Sequence, residues 1–315
     1  MLETLQSWAA LPKSFNPWTK HTRHTLPQSQ PQQHHQHSYT PSPSPQLKDT
    51  TLHNPRILCL HGGGTNARIF RSQCRALRAK LSPHYRLVFA EAPFVTTPGP
   101  DVVSVYEKWG PFRSWLPPGF PSHGTPHDGP VPFSESERAC QLVINSIEQS
   151  IEAAMNEDNR VGGTGAWIGL LGFSQGAKMA ASMLLRQQNH PESGSSYGYG
   201  RRKNSKITAD YKFAVLLAGR APMVSLTLDD VDDFGMGYFG LEPVTLHLPT
   251  IHVHGMKDPG LDLHRELLDY GCDRGSARLI EWDGEHRVPI RSQEVMAVVD
   301  AMVDVGRDTG VIKRC

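Results

Sequence analysis

Short apolar runs recur along the chain from residue 56 onward, separated by segments whose apolar residues follow a helical spacing. The runs are continuous rather than alternating, which is typical of parallel strands buried on both faces of a sheet. They predict strands at 56–60, 85–90, 166–171, 213–219, 250–255 and 277–282. The spacing between them predicts helices at 68–81, from Ser134 onward, and at 175–188, 261–271 and 292–305. Strands that alternate with helices predict an α/β fold with a mostly parallel sheet and helices on both faces.

The chain divides into a tail and a folded domain. Residues 1–53 are rich in glutamine, histidine, proline and serine and hold little apolar surface to offset chain entropy. We therefore predict a disordered, low-complexity N-terminal tail there. The folded domain is predicted to span 54–307, and 308–315 to form a frayed C-terminal tail. Inside the domain, the polar and glycine-rich segment 190–209 predicts a flexible loop.

Charge and cysteine content exclude several classes of protein. The 315 residues carry a formal net charge of +1, which gives no argument for a nucleic-acid partner or an anionic membrane surface. The five cysteines are scattered without a C-x-x-C pair, which argues against a disulfide framework or a zinc site. No apolar run is long enough for a membrane span, and the first residues lack the pattern of a secretory signal. We expect reduced thiols and a cytoplasmic protein.

The stretch 168–181 contains the most informative motif. An apolar run leads into Gly-Phe-Ser-Gln-Gly, and small, helix-favouring residues follow. This order predicts a strand, a tight turn and a helix, with the Ser174 hydroxyl exposed at the end of the sheet as a nucleophile. Gly172 and Gly176 leave room where the strand and helix backbones approach each other.

A second glycine-rich segment follows the first predicted strand directly. His61-Gly62-Gly63-Gly64-Thr65 can present backbone amides to a ligand, as acyl-transfer enzymes do for a developing oxyanion. The alternative is a plain glycine turn between a strand and a helix. Together with the serine turn, we predict an oxyanion hole formed by Gln175 and by Gly63 or Gly64.

Two more candidate catalytic residues follow later strands. Asp258 comes just after the strand at 250–255, and His286 after the strand at 277–282. Because the carboxyl ends of parallel strands meet at one edge of a sheet, we expect both side chains near Ser174. The order Ser, Asp, His is that of α/β-hydrolase triads. Asp262 and Asp283 are weaker candidates for the acid, since Asp283 lies only three residues before His286.

Two histidines raise the question of a metal site. His252 and His254 share one face of a predicted strand, and such a pair can bind zinc. No third ligand lies nearby in the sequence, so we interpret both as structural. We predict no metal and no cofactor.

Residues 94–133 contain many prolines and aromatic residues and exceed the length of an ordinary connection. We interpret this segment as an irregular lid or substrate-binding insertion. Its candidate substrate-binding residues are Trp109, Phe112 and Trp115. The alternative is a packed surface loop without contact to the substrate.

These motifs together resemble the fungal serine hydrolase family of α/β-hydrolases. The segments that carry the resemblance are 60–67, 91–93, 172–177, 254–258 and 284–289. The aromatic stretch 106–115 is similar to that of family members found with polyketide synthases. The resemblance implies an α/β-hydrolase domain with the triad Ser174, Asp258 and His286. It also implies an esterase or thioesterase whose partner is the acyl-carrier domain of a polyketide synthase.

Three interpretations stay open from the sequence. The first is a thioesterase that releases carrier-bound acyl chains in secondary metabolism, and the second is a carboxylesterase for small free esters. The third is a non-catalytic protein that binds an acyl ligand, against which the complete triad argues. A basic docking patch would favour the first interpretation, with Arg113, Arg201, Arg202 and Lys203 as its candidates.

Overall fold

A computed structural model describes residues 49–100, 102–118, 133–189, 209–226 and 245–313, with the backbone alone at 133–137. The strands are β1 (Arg56–Leu60), β2 (Arg86–Ala90), β3 (Phe94–Thr96), β4 (Phe112–Ser114), β5 (Trp167–Phe173), β6 (Ala209–Leu217), β7 (Thr250–Gly255) and β8 (Ala277–Trp282). The helices are α1 (Ala67–Gln73), α2 (Arg75–Leu81), α3 (Val103–Tyr106), α4 (Phe133–Arg160), α5 (Gln175–Asn189), α6 (Leu261–Gly271) and α7 (Ser292–Asp308).

The main sheet within these ranges has six strands in the order β2-β1-β5-β6-β7-β8. Every neighbouring pair in it is parallel. The predicted α/β architecture with a mostly parallel sheet is therefore confirmed. Parallel strands end at the same edge of a sheet, so the residues after β1, β5, β6, β7 and β8 meet there.

Strand β1 shows why its apolar run is continuous. Ile57 and Cys59 point into a core with residues of α1, α2 and α7. Leu58 and Leu60 point into a second core with residues of α4, α5 and α6. Because side chains alternate between the two faces, a strand covered by helices on both faces must be apolar at every position. Burial of each large apolar side chain contributes about 1.5–3 kcal/mol.

The predicted element boundaries hold best in the C-terminal half, where β7, α6 and β8 match the prediction. Strand β6 begins at Ala209 rather than 213, because the exposed Asp210 and half-buried Lys212 alternate with buried residues and hide its start in the sequence. The helix predicted at 68–81 is divided at Cys74 into α1 and α2. Hydrogen bonds from Cys74 N to Phe70 O and from Arg78 N to Cys74 O still connect the two helices.

The insertion after β2 is more regular than predicted. Its strands β3 and β4 pair antiparallel, and Arg113 of β4 also forms a bridge with Thr65 of the glycine-rich segment. A 3-10 turn at Glu107–Trp109 connects α3 to β4. The insertion is thus attached to the end of β1. The rest of the predicted lid, at 119–132, and the predicted flexible loop, at 190–208, lie outside the described residues.

Both ends of the described chain pack more closely on the domain than predicted. The predicted tail reached residue 53, but Leu52 O accepts a hydrogen bond from Thr164 N at 2.8 Å. At the other end, Val311 and Ile312 pack against the core beside α7. Residues 1–48 lie outside the described part of the chain.

Among the helices of the described ranges, none combines the length and the apolar character that a membrane span requires.

A buried ion cluster connects β1, β2 and the end of α4. The Arg56 guanidinium lies 3.2 Å from Asp158 Oδ2, and the Arg86 guanidinium lies 2.8 Å from Asp158 Oδ1. The side chain of Asp158 is 5% exposed, that of Arg56 7% and that of Arg86 11%. Asp158 therefore bridges two cations at the end of the sheet opposite the carboxyl ends of the strands, and one of them, Arg86, also pairs with the exposed Asp49.

Replacing Asp158 with alanine should leave two buried guanidinium groups without their shared partner. We expect the free energy of unfolding to fall by about 3 kcal/mol, measured by urea denaturation. Glu157→Ala is the matched control, because the neighbouring Glu157 is exposed and pairs with the exposed Arg160. Equal stability of the two variants would contradict a structural role of the cluster.

Candidate active site

Ser174 occupies a sharp turn between β5 and α5. Its φ is +54°, a left-handed conformation that a serine adopts only when its surroundings enforce it. A Cβ at Gly172 would lie 2.2 Å from Gly176 O, and a Cβ at Gly176 would lie 2.0 Å from Leu60 O. Only glycine fits at these two positions, as the sequence indicated. The turn leaves Ser174 half-buried at the carboxyl edge of the sheet.

Asp258 follows β7 and has a fully buried carboxylate. Its Oδ1 accepts a hydrogen bond from Gly260 N at 2.8 Å, and its Oδ2 lies 2.6 Å from His286 Nδ1. Burial alone would raise the pKa of Asp258. The hydrogen bonds from Gly260 and His286, with the nearby imidazoles, outweigh burial and hold this pKa below its ordinary value.

His286 lies in the loop after β8, which is hydrogen-bonded to the loop after β7. Met256 N donates to Trp282 O, and Lys257 N donates to Gly284 O. These bonds fix the position of the loop relative to Asp258. His286 Nε2 lies 2.9 Å from Ser174 Oγ, so the side chains of Ser174, His286 and Asp258 form one continuous hydrogen-bonded chain.

The two other candidate acids lie in different surroundings. Asp283 is exposed and pairs with Lys257 at 2.6 Å. Asp262 is exposed in the first turn of α6. Neither has a hydrogen bond to His286 among the described residues, whereas Asp258 has one.

The glycine-rich segment after β1 is held by the buried His61. His61 Nε2 accepts a hydrogen bond from Ala92 N, so its proton is on Nδ1, which donates to Gly62 O at 2.8 Å. Gly64 has a φ of +71°, and its amide donates to Arg113 O at 2.9 Å. The Gly64 amide is therefore already engaged. The amide of the exposed Gly63 has no backbone acceptor among the described residues.

The side chain of Gln175 connects the serine turn to the insertion. Its Oε1 accepts hydrogen bonds from Trp115 N at 2.8 Å and from Ser114 Oγ at 3.1 Å. A Cβ at Gly63 would lie 3.2 Å from the same Oε1, so the side-chain amide of Gln175 lies beside the glycine-rich segment. The sequence singled out Gln175 for its backbone amide and missed this role of the side chain.

The three aromatic candidates for substrate contact differ in position. Trp115 is fully buried, and its Nε1 donates to His61 O at 2.8 Å. We therefore correct its assignment, because a side chain that supports the glycine-rich segment from inside the core does not face a substrate. Trp109 and Phe112 are half-buried, and the Trp109 ring packs against Tyr106.

A file of buried histidines leads from β7 to His286. Ring centroids are 5.9 Å apart for His252 and His254, 5.4 Å for His254 and His264, and 6.3 Å for His264 and His286. Burial lowers the pKa of His252 to about 3 and the pKa values of His254 and His264 to about 4. The first three histidines of the file are thus neutral at neutral pH.

Three residues at the end of this file are close enough to form a possible metal-ligand group. Potential ligand atoms of Asp258, His264 and His286 lie within 4.8 Å of one another. The His286 and Asp258 atoms are already hydrogen-bonded to each other, and His264 Nε2 lies 3.6 Å from Asp258 Oδ2. His252 and His254 stand with perpendicular rings inside the core and do not extend this set. His264 is thus the neutral histidine of the file that lies beside the aspartate.

Two residues near Asp258 were missed in the sequence. Arg220 lies 3.6 Å from Asp258 Oδ1, and His264 lies 3.6 Å from Oδ2. Arg220 follows β6, so the rule that selected Ser174, Asp258 and His286 also applies to it. His264 lies on α6, and only the tertiary structure places it beside the aspartate.

A parallel sheet with a serine turn after β5, an aspartate after β7 and a histidine after β8 defines an α/β-hydrolase. The family model of serine hydrolase (FSH1) matches residues 50–298, and the chain belongs to this family. The resemblance stated from the sequence is therefore confirmed.

The chain is similar to several curated fungal proteins. It is 48% identical over 281 residues to esterase pigG of Monascus ruber, which covers 84% of this chain and 96% of that protein. It is 48% identical over 264 residues to the probable esterase azaC of Aspergillus niger, which covers 84% and 90%. Among solved structures, esterase PE8 aligns with a TM-score of 0.44 and 15% identity over 80% of this chain and 93% of that one.

Replacing His254 with leucine should change how stability depends on pH. The pKa of His254 is about 4 in the folded protein and about 6.5 as the ordinary value, so the unfolded state binds a proton first. The contribution of neutral His254 to the free energy of unfolding is thus fully present above pH 6.5 and is lost as the pH falls toward 4. Between pH 4 and 6.5, the free energy of unfolding of the variant should therefore rise less steeply with pH than that of the wild type. We expect the two slopes to differ by about 1.4 kcal/mol per pH unit. Urea denaturation at several pH values measures the slope, and an unchanged slope would contradict a neutral buried His254.

Replacing Gln175 with methionine should keep its size and backbone amide but remove the acceptor for Trp115 N and Ser114 Oγ. We expect kcat/KM for a p-nitrophenyl ester to fall by about tenfold or more, because the insertion loses its fixed position. Gln187→Met is the matched control on α5, since Gln187 binds the Tyr211 backbone away from the triad. Equal rates for both variants would refute the role of the Gln175 side chain.

Proposed function

We propose that the protein is a serine esterase or thioesterase that works through an acyl-enzyme on Ser174. The observation that carries this proposal is the hydrogen-bonded chain from Ser174 Oγ through His286 to the buried Asp258. His286 takes the hydroxyl proton as Ser174 attacks the acyl carbonyl, and then delivers it to the leaving group. A water molecule hydrolyses the acyl-enzyme in the same way, with His286 again as the base.

Asp258 has two roles in this proposal. It accepts a hydrogen bond from the Nδ1–H of His286 and so leaves Nε2 free to accept the proton of Ser174. Its lowered pKa keeps the carboxylate charged, which stabilises the imidazolium that forms during each step. Arg220 on its other oxygen supports the charged form.

The oxyanion hole in this proposal consists of the backbone amides of Gln175 and Gly63. Gln175 follows the nucleophile directly at the start of α5, where the helix dipole also favours negative charge. Gly63 is supported because its amide has no backbone acceptor among the described residues. Gly64, the alternative from the sequence, donates to Arg113 O instead.

For the substrate, we propose an acyl thioester on the phosphopantetheine arm of a polyketide carrier domain. The support is the motif 106–115, which is similar to that of family members found with polyketide synthases. Hydrolysis of this thioester would release the acyl chain. The second candidate is a carboxylesterase for small free esters, favoured by the names of the curated relatives, which are called esterases.

We further propose a cytoplasmic location. Three buried cysteines in the described part of the chain form no disulfide: Cys59, Cys74 and Cys272. Unpaired thiols in this number support a reducing compartment.

Ser174→Ala should abolish hydrolysis of both an acyl N-acetylcysteamine thioester and the matched p-nitrophenyl ester. We expect kcat to fall by about 10³-fold or more, because the nucleophile is lost while binding is kept. Ser146→Ala on α4 is the control, since its hydroxyl donates to Leu142 O within the same helix. Faster turnover of the thioester by the wild type would support the carrier substrate, and cleavage of the oxygen ester alone would support the carboxylesterase. Residual activity near the wild-type level in Ser174→Ala would refute the triad.

A further inference from the structure

A row of arginines runs along α1 and α2, away from the triad. Its members, called the arginine row below, are Arg68, Arg71, Arg75 and Arg78. Their spacing of three and four residues places them on one face of the two helices, which hydrogen bonds connect through Cys74. At 1.5 Å per residue the row is about 15 Å long.

The row forms one wall of an open groove with a volume of about 760 Å³. The floor is the edge strand β2, where Leu87 and Phe89 are half-buried. The opposite wall is the end of α4 with the residue that follows it, and includes Ala154 and Val161. The groove thus combines an apolar floor with a line of positive charge.

The four guanidinium groups of the row form no ion pair with the described side chains. The acidic groups that line the groove have other partners, since Asp49 and Asp158 pair with Arg86, and Glu157 pairs with Arg160. No carboxylate of the described ranges lies within ion-pair distance of the four arginines. Burial and the nearby Arg78 and Arg86 lower the pKa of Arg71, as expected for a guanidinium among like charges.

The upper end of the groove lies at the catalytic edge of the sheet. Asn66 caps α1 and donates from Nδ2 to the carbonyl groups of Trp109 and Pro111, so the insertion sits on the start of the helix. The Arg68 guanidinium lies 4.1 Å from the centroid of the Trp109 ring. The row therefore begins a few residues after Gly63 and leads away from the site over the edge of the sheet.

We propose that this groove docks the acyl-carrier domain through a helix with an acidic stripe beside an apolar one. This rests on the proposed function, since the carrier is the proposed donor of the acyl thioester. The acidic stripe would face the arginine row, and the apolar stripe would cover Leu87 and Phe89. A nucleic acid is disfavoured as the occupant, because the whole chain has a formal net charge of only +1.

This surface differs from the basic patch expected from the sequence. Arg113 is not available for docking, because its guanidinium donates to the carbonyl groups of Ala92 and Pro93. The other candidates, at 201–203, lie outside the described residues.

The test uses the full chain and a carrier domain with such an acidic helix, loaded with a short acyl chain. The double variant Arg71→Glu/Arg75→Glu should lower kcat/KM for the acyl-carrier by at least about tenfold, through KM, because like charges then face each other. Its kcat/KM for the matching N-acetylcysteamine thioester should stay within about twofold of the wild type, which also shows that the variant is folded. Lys80→Glu is the control, because exposed Lys80 lies on the far side of α2 from the row.

The outcomes separate this inference from the proposed function. If wild type and double variant hydrolyse the acyl-carrier equally well, the docking surface is refuted while the carrier substrate stands. If the wild type cleaves only the small thioester, the carrier substrate fails. In that case, docking is tested by measuring whether the unacylated carrier binds to the Ser174→Ala variant. Salt-sensitive binding that the double variant loses supports the groove, and absence of binding overturns it. Binding of a DNA oligonucleotide in place of the carrier also overturns it.

Discussion

The contact between the start of α5 and the end of β1 constrains every part of the site. Gly176 lies so close to Leu60 that a Cβ there would come within 2.0 Å of the Leu60 carbonyl oxygen. The nucleophile turn and the glycine-rich segment therefore begin at the same point of the sheet. Ser174 takes a left-handed conformation because β5 and α5 are both fixed by their burial. A side chain larger than hydrogen at Gly172 or Gly176 would separate the nucleophile from the amides that surround it.

Polar groups under the insertion extend this constraint. The His61 ring accepts a hydrogen bond from Ala92 N, and the His61 carbonyl accepts one from Trp115 Nε1. The side chain of Gln175 accepts a hydrogen bond from Trp115 N. Because buried polar groups are costly when unpaired, these bonds hold the insertion in one arrangement relative to Ser174. The strands β3 and β4 thus belong to the wall of the site, although they lie outside the main sheet.

Charge is distributed unevenly between the two ends of the sheet. At the catalytic end, one buried carboxylate, Asp258, lies 3.6 Å from Arg220 and 3.6 Å from His264, whose pKa burial lowers. This arrangement concentrates the negative charge where the imidazolium of His286 forms. At the opposite end, Asp158 balances Arg56 and Arg86 and serves stability. The arginine row lies outside both centres, on the surface, where its charge is available to a partner.

The sequence by itself determined the α/β class, most strands and the three residues of the hydrogen-bonded chain. It did so because buried parallel strands are apolar at every position and because their carboxyl ends meet at one edge. It missed the start of β6, where exposed polar residues interrupt the pattern, and it assigned Trp115 to the substrate. Tertiary structure alone decided which glycine amide is engaged and how Gln175 joins the insertion. Each of these depends on contacts between residues far apart in the chain, which local periodicity does not encode.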